Sequence, residues 1–176
     1  GRQHIQRMLS CLQCDFLDSR QHGHQKGGLL GFASVALACG SAPSEFSHFL
    51  PKFLPPVLNF FQDGTPSRLK YYACEALYNI AKTGHVLILP HSIFNAIFNG
   101  LCKLYADTEN EVRNAVAEVD RVMKDIVTQC GDKFETEQFV PLLHDNMPFR
   151  NPSVRQLMLS WISILLKVPQ VQMVSY

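Results

Sequence analysis

Lys70-Tyr71-Tyr72-Ala73-Cys74-Glu75-Ala76-Leu77-Tyr78-Asn79-Ile80 carries apolar residues at the third, sixth and tenth positions after its leading cation, namely Ala73, Ala76 and Ile80. That spacing marks one buried face of a helix. Working outward, the same offsets from Lys26 fall on Leu29, Phe32 and Ala36, from Arg113 on Val116, Val119 and Met123, and from Arg155 on Met158, Trp161 and Leu165. All twelve positions are apolar, and successive cations stand 44, 43 and 42 residues apart. A helix that returns at this period belongs to a stack of helical pairs, each leaving an apolar face for its neighbour to cover.

A second set of helices fits between the first. Segments 44–61, 87–105 and 134–147 each carry a proline after an aliphatic residue, at Pro51, Pro90 and Pro141. Proline suits a first helical turn and otherwise removes a donor and clashes one turn back, so these helices are expected to start or bend there. Pro55-Pro56 is expected to break or kink segment 50–56. No run keeps a period of two, and no Asn-Gly or Asp-Gly turn joins β-branched runs. The pattern therefore predicts an all-α fold: a right-handed α-solenoid of about four HEAT- or armadillo-like hairpins forming a single domain over residues 1–176. The repeats fall roughly at 1–40, 44–83, 85–130 and 134–168. Its last helix is apolar nearly all round, through Met158, Leu159, Trp161, Ile162, Ile164, Leu165 and Leu166, so the chain reads as a fragment of a longer array.

Composition narrows the function classes. The 176 residues are 47% hydrophobic and 18% charged, with a net charge of +1. A disordered segment has less apolar content and a larger net charge, and a free-standing nucleic-acid binder is strongly basic. The longest uncharged apolar stretch, 27–40, falls short of the roughly 18 residues that span a bilayer. Cys39, Cys74, Cys102 and Cys130 lie in apolar runs like small core residues, which points to a reducing, cytoplasmic setting.

Few residues suggest chemistry. Cys11 and Cys14 have finger-like spacing and are followed by His22 and His24, but His-x-His departs from the usual histidine spacing, and packing of a helix face beside a polar turn accounts for all four. Gly27, Gly28 and Gly31 match no phosphate loop and suit close helix packing. No nucleophile elbow and no His-Glu-x-x-His run is present. No enzyme activity, metal or cofactor is expected. The cations Lys26, Lys70, Arg113 and Arg155 follow turns that carry Asp63, Asp107 and Asn151, and they read as a structural ladder tying turns together.

A different stripe looks like a contact surface. Tyr71, Glu75, Tyr78 and Lys82 share one face of their helix, and Asn114, Glu118, Arg121 and Asp125 occupy the same offsets in the next repeat. Second helices line the concave side of such solenoids, where extended partners bind. Tyr71 and Tyr78 are the expected anchors, because aromatic residues with a polar tip are enriched at binding hot spots.

The run Ser67-Arg68-Leu69-Lys70-Tyr71-Tyr72-Ala73-Cys74-Glu75-Ala76-Leu77-Tyr78-Asn79-Ile80 resembles the vacuole-morphology (Vac-fourteen) scaffold family, regulators of the PIKfyve lipid kinase. Supporting blocks appear in order at 26–31, 119–127, 139–143 and 160–162, with Val168-Pro169 after them. The resemblance implies a non-catalytic scaffold. It would hold a PIKfyve-type kinase, which makes phosphatidylinositol 3,5-bisphosphate, together with an opposing Sac-domain phosphatase. It implies peripheral placement on endosomal or vacuolar membranes and a homo-oligomeric full-length protein. The alternative is a general HEAT-repeat adaptor in transport or trafficking. Neither reading involves nucleic acid.

Overall fold

The computed structural model describes residues 1–147 and 150–167. Val168 and Pro169, and with them the end of the fourth expected repeat, lie outside the described residues. Among the described residues there are eight α-helices and no strand. The fold class is all-α, as the periodicity predicts. The chain forms two compact units, Gly1–Gly84 and a second beginning at His85.

In the first unit α1 (Arg2–Cys11) runs into a π-helical turn, Leu12–Leu17, and is followed by α2 (His22–Cys39), α3 (Pro43–Leu58) and α4 (Ser67–Gly84). The turn packs on α2, α2 lies along α4, and α3 packs on α4. This is the stacking of two helical hairpins. The Gly-rich start of α2 explains how the π turn comes so close: a Cβ on Gly28 would stand 2.5 Å from Leu17 Cδ2, and one on Gly31 would stand 2.5 Å from Leu12 Cδ2.

Prolines behave differently from the sequence expectation. Pro51, Pro55 and Pro56 all lie inside α3, which continues without a break from Pro43 to Leu58. Pro51 and Pro55 are exposed and Pro56 is half-buried, so the carbonyls that lose a helical donor are on the side water can reach. The other side buries Phe46, Phe49, Leu50, Phe53, Leu54 and Val57, and packing of that apolar stripe offsets the missing hydrogen bonds. Pro141 likewise lies inside its helix, whereas Pro90 precedes one, as a first-turn proline should.

In the second unit α5 (His91–Tyr105), α6 (Asn110–Gln129), α7 (Thr136–Asn146) and α8 (Pro152–Leu165) form two further hairpins. α5 packs on α6, α7 and α8, and α8 touches α6 and α7. Asn151 starts α8 by accepting hydrogen bonds from the backbone N–H of Ser153 at 2.9 Å and of Val154 at 3.3 Å. Phe94, Phe98 and Phe139 surround the Trp161 ring at centroid distances of 5.6, 5.8 and 5.3 Å, in the edge-on arrangements that aromatic quadrupoles favour.

All twelve residues of the repeated apolar offsets are buried, from Leu29, Phe32 and Ala36 in α2 to Met158, Trp161 and Leu165 in α8. Among the described residues no helix is long and apolar enough to cross a membrane.

Candidate functional site

In the first unit the face that the offsets single out on α4 is built and half-buried. Tyr71 Oη donates to Glu75 Oε1 at 2.8 Å, an i, i+4 contact. The Lys82 ammonium sits 5.5 Å from the centre of the Tyr78 ring. Asn79 turns inward and donates to the Glu75 carbonyl at 2.9 Å. Tyr71 is thus braced by its own helix, which lowers the entropy lost when a partner docks.

The corresponding residues of α6 stand in the second unit. Asn114, Glu118, Arg121 and Asp125 are all exposed. Arg121 donates to Glu118 one turn back, a surface pair of small energetic weight.

Of the ladder cations, Arg113 donates to the backbone carbonyls of Asp107 and Thr108 and to the Asn110 side chain. It therefore ties its own turn together through backbone oxygens. Asp107 itself accepts from the Glu109 N–H at 2.9 Å, while Lys70 is half-buried and Asp63 and Arg155 are exposed. Lys26 is 4.5 Å above the Tyr72 ring. Arg68, from the first turn of α4, stands 5.7 Å from the same ring and directs Nη2 at Tyr72 Oη, 3.5 Å away.

Cys11 and Cys14 are exposed. Cys11 donates to Asp15 Oδ2 at 3.2 Å, and His24 Nδ1 lies 3.2 Å from Ser19 Oγ. Among the described residues no three His, Cys, Asp or Glu side chains gather to hold a metal ion.

Sequence reasoning missed the most developed polar centre, which lies in the second unit around Asp120. This carboxylate is buried on α6. It accepts from Trp161 Nε1 at 2.7 Å and from Tyr105 Oη at 3.3 Å, and it pairs with the Lys124 ammonium. Lys124 also donates to Ser160 Oγ at 2.7 Å. Burial pushes the Asp120 carboxyl up from its ordinary pKa, against the opposing pull of Lys124, Trp161 and Tyr105. Burial, reinforced by the Asp120 charge, pushes the Tyr105 phenol up and the Cys102 thiol up to about 12.

A pocket of about 370 Å³ opens beside this centre, with Arg113, Asn114, Lys124 and Gln156 among its walls. One sequence signal was available. Asp120 is the seventh residue after Arg113, and the same offset holds Ala33, Leu77 and Ile162 in the other repeats. A charge at an otherwise apolar register announces a buried, partnered carboxylate.

With this geometry in hand, comparison with known proteins gives a consistent result. The model of the family described as "Vacuolar 14 Fab1-binding region" matches residues 23–125. This chain belongs to that family. The match begins in the first turn of α2 and runs into α6, so the α4 face and the Lys26–Arg68–Tyr72 contact fall within the Fab1-binding region as the family model defines it.

Full-length relatives agree. The chain is 43% identical over 174 residues to the protein VAC14 homolog of Arabidopsis thaliana, covering 98% of this chain and 22% of that protein. It is 32% identical over 209 residues to the VAC14 homolog of Schizosaccharomyces pombe, covering 98% and 25%. It is 34% identical over 189 residues to the vacuole morphology and inheritance protein 14 of Saccharomyces cerevisiae, covering 86% and 21%. The chain thus spans about a quarter or less of the length of these relatives. No solved structure matches it.

Proposed function

We propose that this chain is the kinase-docking part of a non-catalytic scaffold for a lipid kinase of the Fab1 (PIKfyve) class. The observation that carries this reading is the extent of the family match: residues 23–125 run from α2 into α6 and include the pre-ordered tyrosine face of α4. A scaffold needs a rigid surface with anchors already in place, because each flexible side chain ordered on binding subtracts roughly 0.5–1.5 kcal/mol from the affinity. Tyr71, braced on Glu75, and Tyr78, beside Lys82, supply such anchors. In the second unit, Asn114, Glu118, Arg121 and Asp125 give α6 an exposed polar face of its own.

The finer parts of the reading follow the family resemblance. The longer protein would also hold a Sac-domain phosphatase and would self-associate. It would work at the cytoplasmic side of endosomal or vacuolar membranes, where kinase and phosphatase together set the level of phosphatidylinositol 3,5-bisphosphate. Such a scaffold acts by raising the effective concentration of its partners and needs no reacting group of its own.

Co-precipitation of the 176-residue chain with the Fab1-class kinase tests the reading, with a Tyr71→Ala/Tyr78→Ala variant alongside that keeps the wild-type circular dichroism. Kinase captured by the wild type and lost by the variant supports docking on α4. Capture by neither removes the reading.

A further inference from the structure

The contact between Lys26, Arg68 and Tyr72 in the first unit has no structural economy of its own. Two cations, one early in α2 and one in the first turn of α4, converge on a single uncharged phenol, at 4.5 and 5.7 Å from its ring. Among the described residues neither cation is paired with a carboxylate. A cation–ring contact at an exposed site is weak, and mutual repulsion of the two cations subtracts from it.

The surroundings add charge of the same sign. Neither α2 nor α4 has an acidic residue in its first turn, so neither helix carries a carboxylate of its own to offset the positive end of its dipole. The phenol registers the field: the hydrogen bond from Lys26 and the charge of Arg68 lower the Tyr72 pKa, against the opposing effect of burial.

We infer that Lys26, Arg68 and Tyr72 form an anchor for an acidic side chain presented by the kinase; this rests on the kinase-docking reading above. The chemistry suits a carboxylate. The exposed Arg68 guanidinium and the Lys26 ammonium offer two positive charges, and the Tyr72 hydroxyl offers a neutral donor beside them.

The anchor is continuous with the α4 face. Arg68, Tyr71, Glu75, Tyr78 and Lys82 follow one another at three- and four-residue steps on the same helix, so a segment laid along α4 with one acidic side chain at its leading end would meet the cations first and the tyrosines next. A membrane surface fits less well. Adsorption to anionic lipid uses clusters of about four to eight basic residues, whereas here Lys26 and Arg68 meet at one point and the face's other cation, Lys82, stands apart beside Tyr78.

The test measures kinase affinity of the full 176-residue chain as wild type, as Lys26→Glu/Arg68→Glu, as the charge-conserving Lys26→Arg/Arg68→Lys, and as Arg68→Glu alone. Arg68 is exposed, so the single variant keeps the question open if the double variant loses its helical circular dichroism. The expected result is a loss of about tenfold or more on reversal. The conserving variant should stay within about threefold of wild type, and wild-type affinity should weaken with added salt.

Unchanged affinity after reversal overturns the anchor and leaves kinase docking standing. An equal loss in the conserving variant also overturns it, because that pattern belongs to packing. Co-sedimentation with phosphatidylcholine vesicles containing phosphatidylserine separates the lipid source: reversal that abolishes vesicle binding while kinase affinity is unchanged assigns the cations to membrane and overturns the inference. Absence of kinase binding by the wild type removes the docking reading itself, and this inference with it.

Discussion

The indole N–H of Trp161 donates to Asp120 Oδ1 at 2.7 Å, joining α8 to α6 across the interior of the second unit. Around that bond Tyr105 brings in α5 and Lys124 neutralises the charge, so one carboxylate fixes the register of three helices. Asp120→Ala should therefore be severe. It strands a buried indole N–H and phenol and leaves a mostly buried ammonium without its counter-charge, the situation in which breaking a buried pair costs about 3–5 kcal/mol. Asp120→Asn, which keeps an acceptor for Trp161, should lose clearly less. Trp161 is the chain's only tryptophan, so urea denaturation followed by its fluorescence reads the second unit. Equal midpoints for wild type and Asp120→Ala would show that the carboxylate fixes nothing.

The same residue sets a pH dependence. The folded-state pKa of Asp120 is raised above the ordinary 3.8 by burial, so the folded state holds its proton more tightly than the unfolded chain does. Its contribution to stability is fully present below the unfolded pKa and declines as pH rises through the folded value. Measured as the difference between wild type and Asp120→Asn, which cancels the groups that do not interact with Asp120, the Trp161 urea midpoint should fall across that window and then level off. A difference that grows with pH would reverse the assigned direction.

Gly28 and Gly31 test the approach of the π turn to α2 in the first unit. Alanine gains roughly 1 kcal/mol of helix propensity over glycine. At Gly28, however, the new methyl would stand 2.5 Å from Leu17 Cδ2, 2.9 Å from its Cγ and 3.0 Å from Phe16 Cβ, and overpacking of this kind costs about 1–3 kcal/mol. Gly28→Ala should be neutral or destabilising in urea melts read by circular dichroism. At Gly31 the new methyl meets only the half-buried Leu12 side chain, its Cδ2 at 2.5 Å, Cδ1 at 3.0 Å and Cγ at 3.3 Å, which can swing aside, so Gly31→Ala should be the more stable of the two variants. The opposite order would place the close approach elsewhere.

How far these features could be read from sequence depends on how local their cause is. The twelve buried offsets, from Leu29 to Leu165, were legible because helix periodicity and repeat period both leave their mark along the chain. The unbroken α3 was not, since the cost of Pro51, Pro55 and Pro56 is written locally while the compensation comes from the packing of α3 on α2 and α4, as where Phe53 meets Phe32. The α4 face was legible as a stripe, but the neighbours of its first turn were not. That Lys26 of one hairpin and Arg68 of the next converge on Tyr72 depends on how α2 lies along α4. Asp120 announced itself only as a charge at an apolar offset, and its partner Trp161 is 41 residues away.

Ala76 separates the apolar stripe from the rest of α4. It is 2% exposed, so Ala76→Asp places an unpaired carboxylate in the core and should unfold the first unit or destabilise it by several kcal/mol, on the order expected for a buried, unpartnered charge. Ala38→Asp, at an exposed position in the last turn of α2, should cost only about 1 kcal/mol, from lower helix propensity and an acid at the negative end of the dipole. Matching melting temperatures for wild type and Ala76→Asp would show that the stripe does not form the core.

Thiol labelling tests both burial and charge at the cysteines. Cys11 and Cys14 are exposed while Cys39, Cys74 and Cys102 are buried, so the native chain should react quickly at the first two and slowly at the other three. The thiolate is the reacting species, and the hydrogen bond that Cys11 donates to Asp15 holds its pKa above the ordinary thiol value. Replacing Asp15 with Asn removes the negative charge that disfavours the thiolate, and Cys11 labelling at pH 8 should accelerate while Cys102 stays protected. Cys102 carries the additional barrier of a pKa pushed up to about 12 by burial and by Asp120, so it should become reactive only when urea opens the second unit, at the denaturant concentration where Trp161 fluorescence changes. Labelling of Cys102 ahead of that transition would mean that the Asp120 centre opens separately from the aromatic core around Trp161.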